Sequence, residues 1–214
     1  MNHLELFSGT HSFGKVSSVL GYNVVSLDRD LDAGCPWTDY KSKTHIKEDI
    51  MQWNYKVYPK NYFKLITASP VCLWWSHLRR SWVGRKLKAH KNKIITHEIL
   101  DNDIELYGVP MVDKVFEIID YFNPEYFIIE NPANGKMKEY INDLIPYHDI
   151  PYCLYGFEYR KITRFWTNIE LKDKKTCTHK KHRLALGHKN YPSSLLLKYR
   201  IPSLLIKELL LNTN

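Results

Sequence analysis

With 214 residues and 44% hydrophobic composition, the chain can bury one good core and has little room for two. Its formal charge of +8 favours a polyanionic partner, and no stretch is apolar for long enough to span a bilayer. Met1-Asn2-His3 does not open a secretory signal, and the four cysteines, Cys35, Cys72, Cys153 and Cys177, lack paired spacing, which fits a reducing intracellular compartment.

In chain order, the apolar run Leu4-Glu5-Leu6-Phe7 followed by Ser8-Gly9-Thr10 predicts a strand and a tight turn. Phe13, Val16, Val19 and Leu20 recur at helical spacing over residues 12–20, and Gly21 stops the helix. Residues 23–27 form a second predicted strand closed by Asp28; residues 45–47 form a third, leading to Asp49. A fourth covers residues 65–68 and a fifth 126–129, with a helix over 112–122 between them that Asn123-Pro124 ends. Residues 151–154 and 164–167 read as later strands. Strands alternating with helices predict an α/β fold, a doubly wound and mostly parallel sheet in a single domain. No internal repeat or low-complexity linker interrupts it.

Two basic stretches do not fit the sheet. The first is an excursion at about 74–107, whose residues 74–93 interleave Trp74, Trp75 and Trp82 with arginines and lysines. The second, at about 170–199, holds Cys177, His179, His182 and His188. Lysines and arginines of the first would meet phosphates while its tryptophans stack on unpaired bases; a solvated helix with a packed tryptophan face is the plainer alternative. Cys177, His179 and His182 suggest a metal clip, but no second cysteine pair completes it, so no metal is expected there.

Open α/β sheets carry their chemistry outside the carboxyl ends of the strands. There the chain places Gly9 in a turn, Asp28, the pair Asp49-Ile50, Cys72 in Ala68-Ser69-Pro70-Val71-Cys72, and Glu130 in Glu130-Asn131-Pro132. Gly9 and Gly14 alone do not make the dinucleotide fingerprint, which disfavours NAD or FAD. The turn is then either a nucleoside cradle, with Asp28 on ribose hydroxyls, or a plain tight turn with Asp28 as a helix cap. A thiol and a carboxylate at two strand ends form a nucleophile and an acid/base pair in outline.

Taken in order, these motifs resemble the cytosine-C5 DNA methyltransferase family, and most of all its compact viral and phage-type members. The segment from Leu4 to Gly9 is similar to the S-adenosylmethionine-binding motif, Ala68 to Cys72 to the Pro-Cys nucleophile loop, and Glu130-Asn131-Pro132 to the Glu-Asn motif. Residues 160–166 resemble the later arginine-bearing motif, and residues 200–209 the final helix that returns to the cofactor pocket. The resemblance implies a Rossmann-like methyltransferase fold with S-adenosylmethionine as cofactor, held by Phe7, Ser8, Gly9, Thr10, Asp28, Asp49, Ile50 and Pro70. It implies Cys72 as nucleophile, Glu130 as proton donor, and Arg164 and Arg160 as catalytic cations. It also implies a nucleic-acid substrate, DNA ahead of RNA, reached by flipping the base.

Three departures from the family pattern bear on activity. Val71 stands where a second proline is expected, and Leu73-Trp74-Trp75 replaces polar residues after the nucleophile. His11 stands at a glycine position and is expected to turn its side chain toward the methionine end of the cofactor. The region between Asn168 and the last helix is short for a target-recognition domain, so specificity is expected to be short, absent, or supplied by a second subunit or partner. An RNA methyltransferase or an inactive nucleic-acid-binding relative are the rival readings.

Overall fold

A computed structural model of the chain describes residues 1–30, 39–141, 145–171, 176–178, 182 and 198–213. Cys35, His179, His188 and most of the second basic stretch lie outside these residues. Seven strands form one sheet: β1 (Asn2–Leu6), β2 (Asn23–Asp28), β3 (Thr44–Lys47), β4 (Leu65–Ala68), β5 (Tyr126–Pro132), β6 (Tyr147–Pro151) and β7 (Ile162–Thr167). Their spatial order is β3-β2-β1-β4-β5-β7-β6. The first five strands in that order run parallel, as expected, but β7 is antiparallel to both β5 and β6.

Both faces of the sheet are covered, which is why its central strands read as nearly continuous apolar runs. Helix α1 (Ser12–Val19) and the C-terminal helix α5 (Ser203–Leu211) pack on one face, where Phe13, Leu65, Ile128, Phe165 and Leu205 meet. Two short helices, α2 (His97–Asp103) and α4 (Met137–Ile141), accompany the long helix α3 (Val109–Phe122). Val112, Val115 and Ile118 of α3 meet Leu4, Leu6, Ile66 and Ile129 on the opposite face.

Two strand boundaries depart from the sequence reading. Residues 152–155 form a 3-10 turn, and β6 precedes it as Tyr147-His148-Asp149-Ile150-Pro151. As an edge strand with mostly polar or exposed residues, β6 carries no apolar run to reveal it. β5 continues through Glu130-Asn131-Pro132, because β7 pairs with those residues in register (Glu130 with Phe165, Asn131 with Arg164). The carboxylate therefore projects from the last turns of a strand rather than from a loop beyond it.

The first basic stretch is a pair of 3-10 turns, His77–Trp82 and Lys88–His90. Two of its tryptophans pack against the fold: Trp75 is buried, and Trp74 stacks on Tyr107 with ring centroids 4.7 Å apart. Arg79 is buried too, paired with Asp103, whose carboxylate also takes His90 Nε2 at 2.9 Å. Arg80, Arg85, Lys86, Lys88, Lys91 and Lys93 remain exposed.

Candidate active site

The turn after β1 is organised by Glu5. Its carboxylate is buried on the α1 face, where Oε1 accepts the Gly14 amide at 2.8 Å and Oε2 accepts Ser26 Oγ at 3.1 Å. A Cβ on residue 14 would stand 2.5 Å from Glu5 Oε2, so glycine there is what lets the helix start approach the carboxylate. Phe7, Gly9 and His11 all take left-handed backbone conformations, near φ 50°, within five residues. Two of these are not glycine, and such strain survives only where the surroundings over-determine it. His11 does not point toward the cavity as expected: it is fully buried, with Nδ1 3.4 Å from Glu5 Oε2 and its ring against Tyr40 and His45.

This turn forms one end of a cavity of about 720 Å³ at the carboxyl ends of β1, β2, β4 and β5. Phe7, Ser8, Gly9 and Thr10 line it, with Asp28 and the pair Asp49-Ile50 from the ends of β2 and β3. Asp28 is fixed by backbone amides: Oδ2 accepts Gly9 N–H at 2.8 Å and Oδ1 accepts Asp30 N–H at 2.9 Å. Ile50 is buried. Leu106 and Tyr107 contribute an apolar wall from a π-helical turn, Ile104–Gly108, between α2 and α3.

Pro70, Cys72 and Glu130 line the same cavity. The Cys72 loop is tethered by β5 and the turn after it: Asn131 Nδ2 donates to the Pro70 carbonyl at 2.8 Å, and Lys136 N–H donates to the Trp75 carbonyl at 2.8 Å. These bonds hold the loop where Val71 stands in place of a proline. Burial pushes the Cys72 thiol above its usual range, as does the negative charge of Glu130, and Lys161 opposes both. Burial also raises Glu130, which accepts the Tyr152 hydroxyl at 3.3 Å. Burial thus favours the neutral form of the Glu130 carboxyl, and Lys161 and the hydrogen bond from Tyr152 oppose it.

The expected arginines are not at the cavity. Arg164 grips Asp149 through Nε and a terminal nitrogen, each at 2.7 Å, and lies 3.6 Å over the Tyr147 ring. Arg160 is exposed. The reason is strand alternation: Phe165 faces the same side as its partner Glu130, so residue 164 looks to the other. Lys161 sits in phase with Phe165 and lines the cavity instead, its ammonium 4.9 Å over the Tyr152 ring and donating to the Lys198 carbonyl at 3.1 Å. No local signal marks Lys161; only the phase of β7 selects it. Tyr199 and Ile201 close the wall from the segment before α5, where Ile201 N–H donates to Ser12 Oγ at 3.2 Å.

No family model matches the chain. Over 98% of its length and 99% of the relative's, it is 35% identical to the probable DNA (cytosine-5)-methyltransferase of Frog virus 3. The chain belongs to the cytosine-5 DNA methyltransferase family. Among solved structures, Dnmt2 of S. pombe matches with a TM-score of 0.48 and 14% identity, over 78% of this chain and 48% of that one. A Spodoptera frugiperda DNMT2 mutant matches with a TM-score of 0.47 and 17% identity, over 82% and 53%. This methyltransferase spans about half the length of those two structures.

The family cofactor is S-adenosylmethionine, and the cavity fits it. Ser8 Oγ is buried without a hydrogen-bond partner among the described residues and lines the cavity at the strained turn, where a ligand's polar group would satisfy it. The volume lies within the range of roughly 300–1,000 Å³ common to small-molecule sites. Asp28 and Asp49 offer carboxylate acceptors beside the buried Ile50 side chain, the combination that a ribose and an adenine require.

Proposed function

We propose that this methyltransferase methylates carbon 5 of cytosine in DNA through a transient bond between Cys72 and carbon 6 of the base. The observation that carries the reading is that Cys72, Glu130 and Lys161 share one cavity with the Ser8–Asp28–Asp49 cradle. Bound S-adenosylmethionine supplies an electrophilic methyl group, and the cradle orients it toward the Cys72 end. Cys72 loses its proton, and its thiolate adds to carbon 6, converting the ring to an enamine nucleophilic at carbon 5. Glu130 donates a hydrogen bond to ring nitrogen 3, and Lys161 offsets the negative charge that builds there. After methyl transfer, the carbon 5 proton goes to a base and the carbon–sulfur bond breaks, returning the Cys72 thiolate and the product.

The target base has to leave the duplex to reach this recess, and the exposed lysines and arginines of residues 80–93 are the groups expected to hold the flanking phosphates. Specificity beyond the base itself is short or comes from a second subunit or partner. A reducing intracellular setting keeps Cys72 a thiol; no described helix is long and apolar enough to cross a membrane.

The test is incubation with S-adenosylmethionine and an oligonucleotide carrying 5-fluorocytosine, as DNA and as RNA. Fluorine blocks loss from carbon 5, so a denaturation-resistant adduct forms with DNA and disappears in Cys72→Ala. An adduct with RNA alone moves the substrate to RNA, and binding without any adduct identifies an inactive relative.

A further inference from the structure

A second cluster sits beyond β6, apart from the cavity. Cys153 lies in the 3-10 turn Tyr152–Tyr155 that follows this strand, while Cys177 and His182 come from the chain beyond β7. Cys153 Sγ is 3.4 Å from Cys177 Sγ, and Cys177 Sγ is 3.2 Å from His182 Nε2. All three donor atoms fall within 4.8 Å of one another, and all three residues are half-buried.

We propose that Cys153, Cys177 and His182 bind a zinc ion that clips the chain beyond β7 to the turn after β6. Tetrahedral zinc holds thiolate sulfur at about 2.3 Å and imidazole nitrogen at about 2.0–2.1 Å, which sets its ligand atoms roughly 3.5–3.8 Å apart. The observed separations lie close to that, so small side-chain rotations suffice to admit one ion. Two thiolates and an imidazole are the donors that suit zinc over calcium or magnesium. At 3.4 Å the two sulfurs are too far apart for a disulfide, whose bond is about 2.05 Å. Binding releases a proton from each thiol, and water or a further donor takes the fourth position. The sequence reading lacked this site because it sought a second cysteine near Cys177; folding brings one from 24 residues upstream.

The clip has a structural role with a bearing on the active site. Cys153 adjoins Tyr152, whose hydroxyl reaches Glu130 and whose ring lies under the Lys161 ammonium. Fixing that turn fixes the wall behind both groups.

The protein is produced with zinc supplementation, its metal counted by elemental mass spectrometry, and the metal exchanged for cobalt. Stoichiometric zinc is expected, and a tetrahedral cobalt spectrum with a thiolate charge-transfer band. Cys153→Ser, Cys177→Ser and His182→Ala lower the zinc content roughly tenfold or more, while Cys72→Ala leaves it unchanged. Chelation lowers the Tm of the wild type but not of Cys177→Ser. Should a variant fail to fold, the wild-type stoichiometry and cobalt spectrum decide the matter alone. Wild-type protein with under about a tenth of an ion per chain overturns the proposal. So does full zinc content in Cys177→Ser, or a Cys153–Cys177 disulfide in the unreduced protein.

Discussion

The charge of Lys161 counters the rise of both Cys72 and Glu130, the proposed nucleophile and proton donor. Replacing Lys161 by methionine keeps the stem on Tyr152 but removes the charge. The expected outcome is a loss of roughly 10²-fold in kcat, the usual scale for one electrostatic donor at a reacting centre. The thiol would also rise further, so the limb of kcat/KM that climbs with pH shifts to higher pH, and a pH–rate profile reads both effects. Arg164→Met makes the contrast: its partners are Asp149 and Tyr147, so stability falls while the pH profile stays in place. If Arg164→Met shifts the profile and Lys161→Met does not, the assignment of the cation is wrong.

At the scale of elements, the Cys72 loop owes its place to its neighbours. Asn131 on β5 holds Pro70, and the turn before α4 holds Trp75, whose ring fills the space beside the π-helical turn. A Cβ on Gly108 in that turn would stand 3.0 Å from two atoms of the Trp75 ring. Gly108→Ala is therefore expected to cost about 1–3 kcal/mol through overpacking, measurable by denaturant titration with unchanged slope. A neutral result would show that the turn yields freely. The local sequence made β1, β2, β4 and the start of β5 legible, since each is an apolar run ended by polar or turn-forming residues. It could not show β6 or the extension of β5, because an exposed edge strand has no apolar signature and pairing with β7 is a tertiary event.

Across the whole molecule, two properties follow from how charge and burial are distributed. His3 is fully buried between Ser17 Oγ and Thr67 Oγ1, each 2.8 Å away, and burial lowers its pKa from 6.5 to about 4. A depressed histidine contributes stability in full above the unfolded value of 6.5 and loses it as pH falls through about 4. The loss is on the order of 3 kcal/mol by linkage. Denaturant midpoints should drop across that window, and His3→Gln should flatten the drop; an unaltered acid limb would refute it. The second property is the row of exposed cations over residues 80–93, opposite in sign to a phosphate backbone. Neutralising Arg85, Lys86 and Lys88 together should weaken DNA binding and lower the salt slope by roughly one for each phosphate no longer neutralised. A slope equal to the wild type's would place the nucleic acid elsewhere.

The sequence by itself determined the parallel part of the sheet, the positions of Gly9, Asp28, Cys72 and Glu130 toward its carboxyl end, and through their order the family. Those features are local, because a buried strand and the residue that ends it lie next to each other in the chain. The tertiary structure decided which cation lies beside Cys72, what Asn131 holds, where His11 points and how Cys153 meets Cys177. Each of those depends on strand phase or on contacts across long separations, such as the 61 residues between Asn131 and Pro70. Packing settles such contacts, and no short window of sequence records them.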